Sequence, residues 1–228
     1  MVKVYLDNEG IHRSQPTVHK YMNSEMHLYS VTRRKRPDYR KGTPHKVFPN
    51  LLDQNFQAEK INQKWCTDFT YLFLKDGRKR YNCTVLDLHE RSVVASLTDK
   101  RITSELAIRT LQKALKDQGI TKPDGLLIHS DQGSQFTSKE FVRFCEEQGI
   151  QQSMSKAGYP YDNAPMERYF NTLKNELIYQ HEYDTEDDLY HSIEKYAYVE
   201  YNTKRPHSYN QWKTPFQARY AQSSACTA

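Results

Sequence analysis

The chain has few cysteines and no long apolar run. Its 228 residues include four cysteines, Cys66, Cys83, Cys145 and Cys226, which stand singly with no Cys-x-x-Cys pair. This placement argues against a zinc knuckle or a disulfide scaffold and is typical of reduced thiols. No apolar run approaches the roughly 18 residues of a membrane span, and residues 1–10 lack the apolar stretch of a secretion signal. The sequence therefore predicts a cytoplasmic protein without membrane contact.

Positive charge is concentrated in the first fifth of the chain. Residues 1–50 carry ten Lys and Arg against four Asp and Glu, whereas the remainder is almost neutral. Four of these cations are consecutive: Arg33, Arg34, Lys35 and Arg36. A basic segment ahead of a near-neutral domain is typical of a polyanion-binding arm, and charge alone leaves a solvated tail as the alternative.

Glycine and proline follow the basic run and indicate a linker. Gly42, Pro44 and Pro49 place a domain boundary near residue 50. The segment before it shows a short helical pattern with Ser14 as its N-cap. Residues 1–50 are therefore predicted to be a small helical segment with a basic linker, followed by a larger domain over residues 51–216 and a tail over residues 217–228.

Beyond residue 50 the pattern predicts a mixed five-stranded α/β sheet flanked by helices. Aromatic and β-branched runs, with a hairpin signal at Asp76-Gly77, predict three antiparallel strands, and two short apolar runs predict two more. The predicted strands cover about residues 65–74, 81–88, 92–97, 125–129 and 150–154. Helical periodicity covers about residues 104–118, 139–148, 164–179 and 185–201.

Three carboxylates fall where this sheet would bring them together. Asp68 lies inside the first predicted strand, Asp131 follows the fourth, and Glu167 lies in the first turn of a predicted helix. Ligands of open α/β sheets bind outside the strand ends. An all-oxygen donor set favours Mg²⁺ or Mn²⁺, and two such ions about 3.5–4 Å apart support in-line phosphoryl displacement. The sequence thus predicts a site for two divalent ions.

Each acid also has a purely structural explanation when it is taken alone. Asp131 is well suited to start a turn, and Glu167 suits the dipole of its helix. Asp68 is harder to explain, because Asp is depleted in strand interiors. The interpretation of the three acids as one site depends on their spacing, since 35 residues separate Asp131 from Glu167.

The motifs around these acids match a known family. They are Trp65-x-x-Asp68-x-Thr-Tyr, His129-Ser-Asp131-x-Gly-x-Gln-Phe, Asp162-Asn-Ala-x-x-Glu167-x-x-Phe, Lys174, Tyr201-Asn-x-x-Arg-Pro-His207 and Thr214-Pro215. Over about residues 60–216 the chain resembles the integrase-core (DDE) transposases of bacterial insertion sequences, and within them the downstream-frame (OrfB) type. This family shares the RNase H-like fold of retroviral integrases.

The resemblance implies a role for each matched position. Asp68, Asp131 and Glu167 would be the catalytic, metal-binding acids, served by two Mg²⁺ or Mn²⁺ ions. Contacts to DNA are expected from Lys174, Asn171, Lys156 and Arg205, with phosphate contacts from the basic run at 33–36. Residues 11–31 resemble the end of a helix-turn-helix segment. The expected partners are therefore DNA, further copies of the chain, and an upstream-frame helix-turn-helix protein or fusion.

Missing motifs exclude a retroviral-type integrase and disfavour a tyrosine recombinase, and two other functions stay open. No cysteine precedes Cys66, so the His-His-Cys-Cys module of retroviral integrases is missing. No histidine has Arg three residues later, although the family pattern of tyrosine recombinases includes His-x-x-Arg. An RNase H-like nuclease or resolvase that cuts without joining remains an alternative. So does a catalytically silent DNA-binding protein, although DNA binding alone does not require three clustered acids.

Overall fold

The structure is a computed structural model that describes residues 1–29, 45–157 and 159–221. The predicted basic run Arg33, Arg34, Lys35 and Arg36 therefore lies outside the described residues. The strands are β1 (Lys64–Phe73), β2 (Lys79–Asp87), β3 (Val93–Asp99), β4 (Leu127–Ser130) and β5 (Gln151–Met154). The α-helices are α1 (Val2–Asn8), α2 (Gln15–Lys20), α3 (Ser104–Asp117), α4 (Lys139–Gln148), α5 (Ala164–Glu176), α6 (Glu186–Lys195) and α7 (Pro215–Tyr220).

The five strands form one mixed sheet in the order β3-β2-β1-β4-β5. β1, β2 and β3 are antiparallel neighbours, whereas β4 runs parallel to β1 and β5 runs parallel to β4. The predicted hairpin joins β1 to β2: Gly77 adopts φ +85° and its N–H donates to the carbonyl of Leu74. This positive φ is the reason for glycine at the turn. The predicted fold class is confirmed.

Each face of the sheet is covered by its own apolar core. On one face, Trp65, Val85 and Ile128 pack with buried residues of α3 and α4. On the other, Cys66 and Leu86 pack with α5 and with a π-helix over Tyr196–Lys204. β1 alternates between the two cores, as the two-residue period of a strand requires. Its even-numbered side chains therefore face α5.

Side-chain caps fix where several helices begin. Ser14 Oγ accepts from Thr17 N at 3.3 Å, Ser138 Oγ from Phe141 N at 3.1 Å, and Thr185 Oγ1 from Asp188 N at 3.1 Å. These three hydroxyls satisfy N–H groups that have no partner within their helices. Gly149, at φ +72°, ends α4 in the left-handed conformation.

The C-terminal end of the described chain returns to the sheet through a buried arginine. Helix α7 spans residue 216, the predicted limit of the core domain. Its Arg219 donates to Asp87 at 3.0 Å and to Glu90, both of which are buried beside it. The Nη2 of Arg219 also donates to Asn62 at 3.0 Å. Removing one member of such a network leaves the others buried and unpaired, so α7 is firmly tied to the fold.

None of the helices in the described ranges has the length and apolar character needed to cross a bilayer.

Candidate active site

The strand register at the centre of the sheet places two of the predicted acids, Asp68 and Asp131, side by side. β1 and β4 are parallel, with Cys66 opposite His129. Extending this register by two residues places Asp131, just past the end of β4, level with Asp68 on a strand about 4.8 Å away. Asp68 has the same parity as Cys66, so it lies on the face covered by α5.

The third acid approaches from the helix above that face. Glu167 lies in the first turn of α5, and α5 is anchored by the buried Met166, Tyr169 and Phe170 on either side of it. Lys174 lies seven residues further on, almost two turns, and thus on the same side of the helix as Glu167. The register of the strands and the helix therefore brings the three acids and Lys174 into one neighbourhood.

These groups act on one another electrostatically. The pKa of Asp68 is raised well above its ordinary value by burial and then by the negative charges of Asp131 and Glu167. The N–H of Phe69, which donates to Asp68 Oδ1 at 2.7 Å, and the ammonium of Lys174 oppose this rise. Burial raises the pKa of Glu167 and lowers the pKa of Lys174. Carboxylates repelling one another in a partly dry site are stabilised by a cation.

The donor set fits a hard divalent cation, although the side chains do not converge on one point. Within the described ranges no three His, Cys, Asp or Glu side chains come close enough to hold an ion together. Two aspartates and one glutamate nevertheless supply the oxygen donors that Mg²⁺ and Mn²⁺ prefer. Asn163, at the start of α5, adds a buried Oδ1 with no partner among the described residues. Such an oxygen is able to accept from a water of a hydrated cation.

A buried histidine anchors β4, the strand that directly precedes Asp131. Ser153 Oγ already accepts from Leu51 N at 2.9 Å and Leu52 N at 3.1 Å, so its O–H is left to donate to His129 Nδ1 at 2.9 Å. His129 is therefore the neutral tautomer protonated at Nε2, which donates to Ser155 Oγ at 3.0 Å. Burial lowers the pKa of His129 to about 4. The sequence motif contained His129, but not this role.

The predicted DNA contacts lie in different places. Lys156 and Asn171 are exposed, on the segment after β5 and one turn beyond Glu167 respectively. Arg205 lies by the far end of α5, where its Nε and Nη2 donate to both carboxylate oxygens of Glu176 at 2.9–3.0 Å. A guanidinium has five N–H donors, so DNA contact by Arg205 stays a prediction alongside this ion pair.

The Tyr201–His207 motif has a structural function that the sequence did not reveal. Asn202 Oδ1 accepts from Val93 N, and its Nδ2 donates to Val93 O, both at 2.9 Å. Tyr198 OH accepts from Ser96 N at 2.9 Å. Because β3 is an edge strand, these side chains occupy the positions of a missing neighbouring strand.

Family models and relatives identify the family of the chain. The integrase core domain model matches residues 58–160, and a second integrase core domain model matches residues 148–215. The transposase for insertion sequence element IS904 of Lactococcus lactis is 36% identical over 92% of this chain and 82% of its own length. A 31 kDa protein of insertion element IS600 of Shigella sonnei is also 36% identical, over 78% of this chain and 65% of its own length. Transposase InsF of Escherichia coli is 34% identical over 72% of this chain and 56% of its length.

Solved structures share the fold at low sequence identity. A chain of the simian T-cell lymphotropic virus intasome superposes with TM-score 0.59 and 19% identity, covering 96% of this chain and 70% of that one. The HTLV-2 integrase catalytic core domain in complex with magnesium superposes with TM-score 0.55 and 22% identity, covering 71% of this chain and 98% of that one. Both support the RNase H-like fold.

Proposed function

Because the chain belongs to the integrase-core family of insertion-sequence transposases, we propose that it is the catalytic subunit of a DNA transposase. It cleaves a phosphodiester at the element end and joins the freed 3′-OH to target DNA. The observation that supports this most directly is the parallel register of β1 and β4, which places Asp131 level with the half-buried Asp68, where Asp68 lies within the field of Asp131 and Glu167.

The acids hold the divalent ions in this proposal, and the cations of the chain hold the DNA. Asp68, Asp131 and Glu167 bind two Mg²⁺ or Mn²⁺ ions, which supply charge neutralisation at the reacting phosphate and activation of the attacking oxygen. Lys174, close to Asp68, contacts the phosphate backbone of the element end. Lys156 and Asn171, which are both exposed, extend that contact.

The reaction consists of two in-line displacements at phosphorus. In the first, water attacks, one P–O bond forms and one breaks, and a strand leaves with a free 3′-OH. In the second, that 3′-OH attacks a target phosphate, and a target 3′-OH leaves. The protein forms no covalent bond to DNA, so its contribution is positioning and charge stabilisation.

A strand-joining assay tests this function. A pre-cut oligonucleotide end and a supercoiled plasmid are incubated with the full chain and Mg²⁺ or Mn²⁺. We expect joined products from the wild type, and none from Asp68→Asn, Asp131→Asn or Glu167→Gln. The matched control is Asp124→Asn, because Asp124 is an exposed acid on the turn before β4.

The same assay distinguishes the alternatives. Metal-dependent cutting without joining would identify a nuclease or resolvase. DNA binding with neither reaction would identify a silent DNA-binding protein, and both outcomes would contradict the proposal. Wild-type joining by any of the three acid variants would contradict the residue assignment.

We further propose that the chain acts on DNA as an oligomer, because two bound copies would bring the two element ends together at one target. Multi-angle light scattering with and without end DNA tests this. A monomeric complex that still joins both ends would contradict it.

A further inference from the structure

A buried carboxylate lies at the start of α5, five residues before Glu167. Asp162 is 2% exposed and accepts three hydrogen bonds. Asn50 Nδ2 donates to its Oδ2 at 3.0 Å, Gln54 Nε2 to its Oδ1 at 3.0 Å, and Lys156 N to its Oδ2 at 2.9 Å. These bonds outweigh burial and keep the pKa of Asp162 below its ordinary value.

Asn163, the next residue, connects the start of α5 to the central strand β1. Asn163 directly precedes α5 without capping it through its side chain, and its Nδ2 donates to the carbonyl of Thr67 at 3.4 Å. Thr67 directly precedes Asp68 on β1. The start of α5 is thus bonded on one side to residues 50–54 and on the other to the strand that carries Asp68.

Residues 50–54 are themselves anchored to the sheet. Leu52 is buried in the core beneath α5, and the N–H groups of Leu51 and Leu52 donate to Ser153 on β5. Gln54 is exposed, and its amide nevertheless reaches the buried Asp162. Four donors of this short segment are therefore directed at two buried side chains next to the candidate site.

We propose that Asp162 is a positioning residue that holds the first turn of α5, and hence Glu167, at the distance from Asp68 that metal binding requires. This inference rests on the proposed function. Asp162 itself touches neither metal nor DNA in it. Its carboxylate connects residues 50–54 and the Lys156 backbone to the start of α5.

The test replaces one donor by an acceptor of the same size. In Gln54→Glu a carboxylate faces the Asp162 carboxylate, so the bond is lost and the two charges repel. In the double variant Gln54→Glu with Asp162→Asn, the amide introduced at position 162 donates to the carboxylate introduced at position 54, and the bond is restored with reversed polarity. Asp162→Asn alone is expected to be mild, because the Gln54 amide is able to rotate and accept. Gln57→Glu is the matched control, since Gln57 is an exposed glutamine three residues along the same segment.

Two readouts are measured on each full-length variant. Mn²⁺ titration followed by electron paramagnetic resonance gives metal affinity, and hydrogen exchange gives the protection of residues 159–167. We expect Gln54→Glu to weaken Mn²⁺ binding about tenfold, as displaced supporting groups do, and to speed exchange at residues 159–167. The double variant and Gln57→Glu should stay within about twofold of the wild type in both readouts.

The outcomes separate this inference from the proposed function. Unchanged Mn²⁺ affinity in Gln54→Glu, or no rescue in the double variant, would overturn the role of Asp162. If the wild type itself bound no Mn²⁺, the proposed function would fail. Hydrogen exchange at residues 159–167 would then still test whether Asp162 holds the first turn of α5.

Discussion

Gly133 leaves no room for a side chain next to Asp131. Its N–H donates to Asp131 Oδ1 at 2.9 Å, and a Cβ built on Gly133 would lie 2.8 Å from that same oxygen. The backbone of Gly133 is not in the left-handed region, so its φ angle does not require glycine. The need for glycine comes from the carboxylate, which would have to turn away from any larger residue.

We therefore expect Gly133→Ala to weaken Mn²⁺ binding about tenfold, because a misplaced ligand loses affinity out of proportion to its movement. Thermal unfolding in metal-free buffer should change little. Calorimetric Mn²⁺ titration and a melting curve check this, with Ser134→Ala as a neighbouring variant that adds no atom. A Gly133→Ala protein with wild-type affinity would mean that Asp131 is not a ligand or that its carboxylate has room to move.

Asp68→Asn should stabilise the protein when no divalent metal is present. A carboxyl with a raised pKa adds stability that is complete below its ordinary pKa and is lost as the pH rises through the folded value. The wild type loses this stability as the pH rises, whereas the amide never ionises. We expect the melting temperature to rise by a few degrees at pH 8, the shift that about 1 kcal/mol produces in a chain of this size, and the difference to vanish near pH 4.

Added Mn²⁺ should make the wild type more stable than Asp68→Asn. Metal binding stabilises the wild type according to its affinity, and Asp68→Asn loses that gain. Melting curves with and without about 5 mM Mn²⁺ measure both effects. If Mn²⁺ stabilised the two proteins equally, Asp68 would not be a metal ligand.

Local patterns predicted the sheet well because each strand is bounded by its own signals. The turn at Asp76-Gly77 and the apolar run before Asp131 depend on neighbouring residues, and both lie in the structure near their predicted positions. Helix α7 has only six residues, too few for a periodic pattern, and it was not predicted.

Long-range polar contacts could not be predicted in the same way. Asp162 meets Asn50 across 112 residues, and Asn202 meets Val93 across 109. Nothing near Asp162 in the sequence indicates that its carboxylate is buried among three donors. The assignment of Asp68, Asp131 and Glu167 to one site depended on spacing and family resemblance, and it stays a prediction until metal binding is measured.

Replacing Asn202 should destabilise the fold. Asn202 is fully buried and bonds both backbone groups of Val93. In Asn202→Asp the donor to Val93 O is lost and a buried charge appears, which should cost about 3 kcal/mol. Urea unfolding measures the loss, and Asn55→Asp, on an exposed turn where the side chain only accepts, is the control. A loss below about 1 kcal/mol would show that the edge of β3 does not depend on this amide.

Acid should destabilise the protein through His129. The folded pKa of about 4 lies below the ordinary 6.5, because burial disfavours the charged ring. The unfolded chain therefore takes up the proton first, and stability is complete above pH 6.5 and falls as the pH drops toward 4. Between pH 7 and pH 5 this amounts to about 2 kcal/mol from this one group.

The comparison of wild type with His129→Gln isolates that contribution. His207 also has its pKa lowered to about 4 by burial, and the raised pKa of Asp68 acts in the opposite direction, but both are common to the two proteins. Urea unfolding at pH 7 and pH 5 should therefore show a smaller acid loss in His129→Gln, by about 2 kcal/mol. Equal losses in both proteins would mean that His129 is protonated in the folded state. A protonated His129 would present an N–H at Nδ1 to Ser153 Oγ. That oxygen already accepts from Leu51 N and Leu52 N and could not accept a third hydrogen bond.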